Sequence, residues 1–169
     1  MEARLEYNFE KQPKKDRLAT IILLLGIALA LNCITVDVFY LNVFARPSFF
    51  IKALGLGIFS FGYGIIILTM IQNKFAQSVT NIQDKRNHVV VDQGLYSLVR
   101  HPMYTGFMFF FSGVALWLGS IFMASIGTII LMTCFIPRIN IEEETLAKEL
   151  DGYSTYLQKI KYRILPKIY

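Results

Sequence analysis

Four long apolar runs limit this chain more than anything else in its sequence. The first extends from about Leu18 to Phe39, with room to continue toward Phe44, and the second from about Phe49 to Ile71. Each reaches the roughly 20 residues that a helix needs to cross about 30 Å of hydrocarbon. Between them lies a short polar turn, Ala45-Arg-Pro-Ser48. The third run, about Met103 to Leu118, and the fourth, Ser120 to Ile136, meet at Gly119-Ser120. So short a connection predicts an antiparallel helical pair. Gly106, Gly113, Gly119 and Gly127 are spaced to let its backbones approach closely, as small residues do in lipid. Both runs are short for a span, which implies little tilt or a locally thinned bilayer. The expected fold is all-α: an integral membrane bundle of about four transmembrane helices, followed by a cytoplasmic C-terminal helical segment.

Composition supports a membrane protein and excludes an ordinary soluble domain. Apolar residues make up 54% of the chain and mean hydropathy is +0.47, above the roughly 45–50% apolar content of average globular proteins. The net charge is +5. Its basic residues flank the apolar runs, which suits an anionic leaflet surface and not a nucleic acid. Lys11, Lys14, Lys15 and Arg17 precede the first run. Lys74, Lys85, Arg86 and Arg100 lie between the second and third, and Arg138, Lys148, Lys159, Lys161, Arg163 and Lys167 follow the fourth. Only Arg46 and Lys52 fall on the other side. The positive-inside rule then predicts cytoplasmic termini and a cytoplasmic middle loop. Cys33 and Cys134 both sit inside apolar runs and read as packing residues. The first run is too long for the core of a cleavable signal, so none is expected.

The polar chemistry is concentrated after residue 72. The chain divides into residues 1–72, an N-terminal arm with the first two spans, and residues 73–169, a core carrying the last two spans and the polar segments. In the middle loop, Val89-Val-Val91 reads as a short extended piece and Asp92-Gln-Gly94 as a turn. After Pro137, the apolar spacing of Ile139, Ile141, Leu146, Leu150, Tyr153 and Leu157 predicts an amphipathic helix broken at Asp151-Gly152.

Arg100-His-Pro-Met-Tyr104 packs polar groups against the start of the third run, where ionisable groups are costly. Pro102 suits the first helical turn and leaves His101 near the N-cap, with amides that favour an anionic group. A plain capping or headgroup role is the ordinary reading of His101, and an aromatic belt that of Tyr96 and Tyr104. His88 equally reads as a solvated loop residue. A metal held by His88, His101 and a carboxylate lacks ligand-type spacing. Arg138 and Glu142 share a helix face at four residues' separation, in the less favourable order for an ion pair. Glu144 and Lys148 have the better order, which leaves Glu142 and Glu143 freer for a ligand. Pro137 is expected to end the regular helical ladder and tip Arg138 over the hydrocarbon edge.

Four stretches together resemble the isoprenylcysteine carboxyl methyltransferase family, to which the phospholipid N-methyltransferases are related. They are Asp92-Gln-Gly-Leu-Tyr-Ser-Leu-Val-Arg-His-Pro-Met-Tyr-Thr-Gly106, Arg138-Ile-Asn-Ile-Glu-Glu143, Gly152-Tyr-Ser-Thr-Tyr156 and Lys161-Tyr-Arg-Ile-Leu-Pro166. The resemblance covers about Asn81 to Pro166. It implies S-adenosylmethionine as methyl donor, with contacts from His88, Val89, Val90, Val91, Tyr96, His101, Pro102, Met103, Tyr104 and Glu142. It assigns Arg138 to the substrate. The chain departs at Asn81, where eukaryotic members tend to carry glutamine. Leu150-Asp-Gly-Tyr153 looks more like the microbial relatives.

The activity so implied is methylation of a lipophilic acceptor at a carboxylate, as in a prenylcysteine. Arg138 would orient that carboxylate, and Tyr96 or Tyr104 would favour the sulfonium through cation–π contact. The expected partners are a lipophilic small molecule or lipidated substrate and membrane lipids, with the site on the cytoplasmic side. N-methylation of a lipid amine headgroup is the first alternative, although a cation at the acceptor is electrostatically awkward for it. A nicotinamide-dependent membrane reductase is the second, because sterol reductases look similar over their C-terminal region.

Overall fold

The computed structural model describes residues 14–73 and 89–168. Helix α1 (Lys14–Val36) runs on through a π-helical turn, Asp37–Leu41. Helix α2 covers Phe49–Gln72, and a 3-10 turn, Gly94–Ser97, precedes α3, Pro102–Leu118. A second π-helical turn, Met123–Gly127, leads into α4, Thr128–Glu149, and α5 is Tyr153–Lys159. Among the described residues there is no strand, so Val89–Val91 lies outside regular structure. By length and composition three helices are able to cross a membrane: Arg17–Leu41, Phe49–Gln72 and Met123–Glu149. The fourth apolar helix, α3, has 17 residues, about 25 Å of rise.

Helices α2 and α3 make the closest approach in the bundle, and glycines make it possible. Gly55 faces Gly113 and Gly62 faces Gly106, so the two helices run antiparallel. A Cβ on Gly55 would lie 2.6 Å from the Trp117 backbone nitrogen, and one on Gly106 would lie 3.0 Å from the Gly62 carbonyl oxygen. Gly106 and Gly113 therefore serve the α2–α3 contact, not the expected contact between the third and fourth spans. Gly127 is the glycine that admits α3 to α4, against the Phe111 ring. Gly119 instead ends α3, at φ 111°, a backbone region that costs glycine little.

Helix α4 packs on α1 and is longer than expected. It passes through Pro137 without ending. The proline ring lies on the exposed face, while Phe135, Arg138 and Ile139 are buried. Burial of those flanking residues holds the helix across the missing backbone bond, a break that bundled membrane helices tolerate. Ile139 and Phe135 join Ala30 and Ile34 of α1, Phe111 of α3 and Ile164 of the C-terminal segment in one core. Large apolar side chains point outward from the bundle, among them Leu25, Leu29, Phe50, Leu54 and Ile129. An unpartnered apolar surface of this kind suits lipid and is unfavourable in water.

Two polar contacts pin α1. At one end Asp37, only 4% exposed, accepts the Ser120 hydroxyl and, at 3.1 Å, the Val43 backbone N–H. At the other end Arg138 reaches Thr20. The predicted break after α4 is present: Leu150 leaves the helix, and Gly152 turns the chain at φ 84° before α5. Leu150, Tyr153, Tyr156 and Ile160 form a second, smaller core, with Val90 and Leu146 packed against it.

Candidate functional site

The Arg100-His-Pro cluster is held from two sides. Pro102 is fully buried at the first turn of α3, with His101 as the N-cap. The Arg100 and His101 backbone N–H groups donate to the Tyr162 and Arg163 carbonyls at 2.9 and 2.8 Å. The Thr105 hydroxyl donates to the Ile164 carbonyl at 2.6 Å. The C-terminal segment thus closes over the start of α3.

Glu143 organises the cluster. Its carboxylate, 7% exposed, receives Arg100 through Nε at 2.7 Å and a second nitrogen at 3.3 Å. Arg163 reaches it at 2.9 Å and His101 Nε2 at 3.0 Å. A buried carboxylate needs such partners, since desolvation without them costs several kcal/mol. Because a carboxylate ionised beside two guanidinium groups only accepts, Nε2 carries the imidazole proton. The other ring nitrogen, Nδ1, faces Glu142 Oε1 at 4.0 Å. The expectation that Glu143 stays free for a ligand is therefore corrected, and Arg100 gains the structural role that its position alone did not reveal.

Glu142 is the less engaged carboxylate, with its side chain 27% exposed. The Tyr104 hydroxyl donates to its Oε2 at 3.2 Å, its one hydrogen bond among the described residues. The Tyr104 ring packs 4.7 Å from Phe135 and 5.7 Å from His101. Tyr96, on the 3-10 turn, receives Asn73 at its hydroxyl at 3.1 Å, and its carbonyl accepts the Tyr156 hydroxyl at 2.8 Å. Burial pushes the Tyr96 hydroxyl up to about 12, with the Glu142 charge adding to the effect. Burial also pushes Tyr153 well up, and Glu142 is the largest charge acting in the same direction. Tyr104 thus touches the Glu142 carboxylate, and Tyr96 and Tyr153 lie within the reach of its charge.

Arg138 stands one turn before Glu142 on α4 but turns to another helix. It is 2% exposed and donates to Thr20 Oγ1 on α1 at 3.2 Å. The remaining sequence-predicted residues lie in the loop before α3 and at its first turn. Val90 and Val91 line a cleft of about 540 Å³ with Gln72, Asp92, Gln93 and Gly94. Val89 is exposed and Met103 half-buried. His88 and Asn81 lie outside the described residues. The fold therefore gathers His101, Tyr104 and Glu142, sets Tyr96 within reach of the Glu142 charge, and leaves Arg138 on the α1 side. Sequence reasoning missed Thr20, which carries no local signal. It also missed the part played by Arg163, which lies in the Lys161–Pro166 motif but whose partner is on α4.

Residues 50–151 match the phospholipid methyltransferase family. That stretch begins at α2 and takes in α3, α4 and both glutamates, more than half the chain. The chain belongs to this family. It is also similar to protein-S-isoprenylcysteine O-methyltransferase of Schizosaccharomyces pombe, at 29% identity over 130 residues, 71% of this chain and 55% of that protein. Protein-S-isoprenylcysteine O-methyltransferase B of Arabidopsis thaliana is 32% identical over 111 residues, 60% of this chain and 56% of that protein. The chain spans about half the length of the curated relatives it matches. The motif resemblance and the names of these relatives agree.

Proposed function

We propose that this chain is a membrane methyltransferase that uses S-adenosylmethionine to esterify a carboxylate on a lipophilic acceptor, of the prenylcysteine type. The observation that carries the proposal is the separation of two opposite charges on α4. Arg138 is engaged toward α1 and Glu142 toward α3. The two charges are turned to different helices and not to each other, an arrangement that suits two ligands of opposite charge. The names of the two relatives support the same activity.

The donor set near Glu142 fits the methyl donor. A carboxylate with one hydrogen bond among the described residues suits an amino group or ribose hydroxyls, and phenol faces suit a sulfonium at about 0.5–2 kcal/mol each. Bound S-adenosylmethionine supplies an electrophilic methyl on a sulfonium sulfur that departs as a neutral thioether. The contribution of the chain is placement. Arg138 orients the acceptor carboxylate, whose oxygen forms the new O–CH3 bond, and no general base is needed because that oxygen is already anionic. Near-attack placement is worth up to about 7–11 kcal/mol in favourable intramolecular systems. His101, fixed by Glu143, presents Nδ1 beside Glu142 and holds the donor side of the cleft rigid. Val89, Val90, Val91, Tyr96, Pro102 and Met103, together with His88 on the strength of the motif resemblance, complete the proposed donor contacts. The site and both termini face the cytoplasm, following the distribution of basic residues, and residues 73–169 form the working core.

Purified protein in detergent, titrated with S-adenosylmethionine by calorimetry and then given labelled donor and a prenylcysteine analogue, tests this reading. Saturable donor binding and a base-labile product are expected. A base-stable product would identify N-methylation instead. Binding of NADPH without binding of S-adenosylmethionine would overturn the methyltransferase reading.

A further inference from the structure

The end of the bundle opposite Arg138 and Glu142 carries polar groups of its own. A cavity of about 100 Å³ lies there, several waters in size and enough for a tetrahedral oxyanion. Asp37, Asn42, Arg46 and Lys52 line it, together with the rings of Phe39 and Phe44, both more than half exposed. The fold fixes its floor. Asn42 turns the chain at φ 47°, a region that asparagine tolerates, and its backbone N–H donates to the Asp37 carbonyl at 2.7 Å. The two carboxylate oxygens of Asp37 accept from the Ser120 hydroxyl and the Val43 N–H. Lys52 lies along the end of α3, where a Cβ on Gly119 would be 3.6 Å from its Nζ. Among the described residues the Arg46 and Lys52 side chains make no hydrogen bond or ion pair. Two cations thus stand against one carboxylate, a net positive charge that a singly charged anion balances.

We propose that this cavity binds the phosphodiester of a membrane phospholipid, with Arg46 and Lys52 as the groups that hold it. A guanidinium matches phosphate oxygens with its fork, and an ammonium adds a point charge. Free phosphate has the same oxyanion chemistry. The exposed aromatic walls favour the lipid, because such rings sit at headgroup level in a bilayer. The bound headgroup ties the link between α1 and α2 to the end of α3. The proposal does not depend on the methyltransferase reading.

The protein, delipidated in a neutral maltoside detergent, is titrated with short-chain phosphatidylglycerol, with diacylglycerol of the same chains and with inorganic phosphate. Native mass spectrometry reads binding, and a thermal scan reads the melting temperature. Phosphatidylglycerol is expected to bind and to raise the melting temperature, and diacylglycerol to do neither. Arg46→Gln and Lys52→Gln should each weaken lipid binding about tenfold or more, the effect of one lost hydrogen bond to a charged group. Lys161→Gln, which removes an exposed cation at the other end of the bundle, should leave it unchanged. Each variant is read against its own lipid-free melting temperature, so that an altered fold is not mistaken for lost binding. Equal binding of diacylglycerol overturns the proposal, as does wild-type lipid affinity in the double variant Arg46→Gln/Lys52→Gln. Equal losses in Lys161→Gln also overturn it, because the effect would then be one of overall charge. If inorganic phosphate alone matches the lipid in affinity and in thermal shift, the occupant is free phosphate and the lipid assignment is overturned.

Discussion

Arg138 and Glu142 are one helical turn apart on α4, yet the first is bonded to Thr20 of α1 and the second to Tyr104 of α3. Opposite charges at this spacing ordinarily find each other on the helix surface. Here each is bonded to a different neighbour, so a single helix turns its cation toward α1 and its anion toward α3. The functional proposal depends on that division, and so do the first two predictions.

Arg138→Ala should abolish methyl transfer while leaving S-adenosylmethionine affinity within about twofold, because Arg138 is bonded toward α1 and Glu142, the proposed donor contact, toward α3. Arg138→Lys should recover little, since a point charge lacks the fork that grips a carboxylate. Donor calorimetry and single-turnover label transfer separate the two effects. Loss of donor binding in Arg138→Ala would mean that the roles of the two residues are exchanged.

Glu142→Gln keeps the shape and removes the charge. Donor affinity should fall by about 1.5–3 kcal/mol, roughly 10- to 150-fold, the range for a lost hydrogen bond to a charged group. The acceptor KM at saturating donor should stay put. An unaltered donor Kd measured by calorimetry would remove Glu142 from the site.

Glu143→Gln attacks the cluster and not the ligand. It leaves Arg100 and Arg163 facing a neutral amide in a buried place. Breaking one side of a buried ion pair typically costs about 3–5 kcal/mol. The melting temperature in detergent should drop markedly, whereas Glu144→Gln, which loses an exposed pair with Lys148, should lower it far less.

Bulk added at the α2–α3 contact should be equally telling. Gly62→Leu and Gly113→Leu each drive a side chain into the facing backbone, and both should destabilise or prevent assembly. A Cβ at Gly57, on the same helix, meets nothing within 4 Å. Gly57→Ala should therefore be silent or mildly stabilising through helix propensity, by about 1 kcal/mol at most. Comparable losses at Gly57 and Gly62, read by thermal melts in detergent, would contradict this register.

Tyr96 predicts an alkaline signature. Burial raises its hydroxyl to about 12, whereas a phenol in the unfolded chain titrates near about 10. Between these values the unfolded chain has lost a proton that the folded chain keeps. The stability contributed is full below about pH 10 and is lost as pH rises toward 12. Tyr96→Phe should flatten that part of the stability profile by about 2 kcal/mol or less. Tyr153 and Tyr156, also raised by burial, should carry the remaining slope. A profile indifferent to Tyr96→Phe would show the hydroxyl to be solvated.

Much of this molecule could be read in its residues, because the physics involved is local or one-dimensional. Runs of apolar side chains near membrane length determine helices and a lipid environment, whatever their partners. The Gly152 break, the Pro102 start of α3 and the Glu144–Lys148 pair follow from backbone geometry and helical spacing within a few residues. The motifs at 92–106, 138–143, 152–156 and 161–166 named the family without any contact being known. What remained hidden was partner choice. Nothing in the spacing of Gly106 and Gly113 says whether they face the next helix or the previous one, and packing against Gly62 and Gly55 decided it. Pro137 looks like a helix end until burial of Phe135, Arg138 and Ile139 holds α4 together around it. Glu142 and Glu143 are adjacent and chemically identical, so sequence treats them alike. Only the fold, by bringing Arg100, His101 and Arg163 to one of them and Tyr104 to the other, makes the first a ligand candidate and the second a structural hub. Likewise no property of Thr20 marks it out. Its meaning arises because a helix at one end of the chain is packed, across 118 residues, against the arginine near the other.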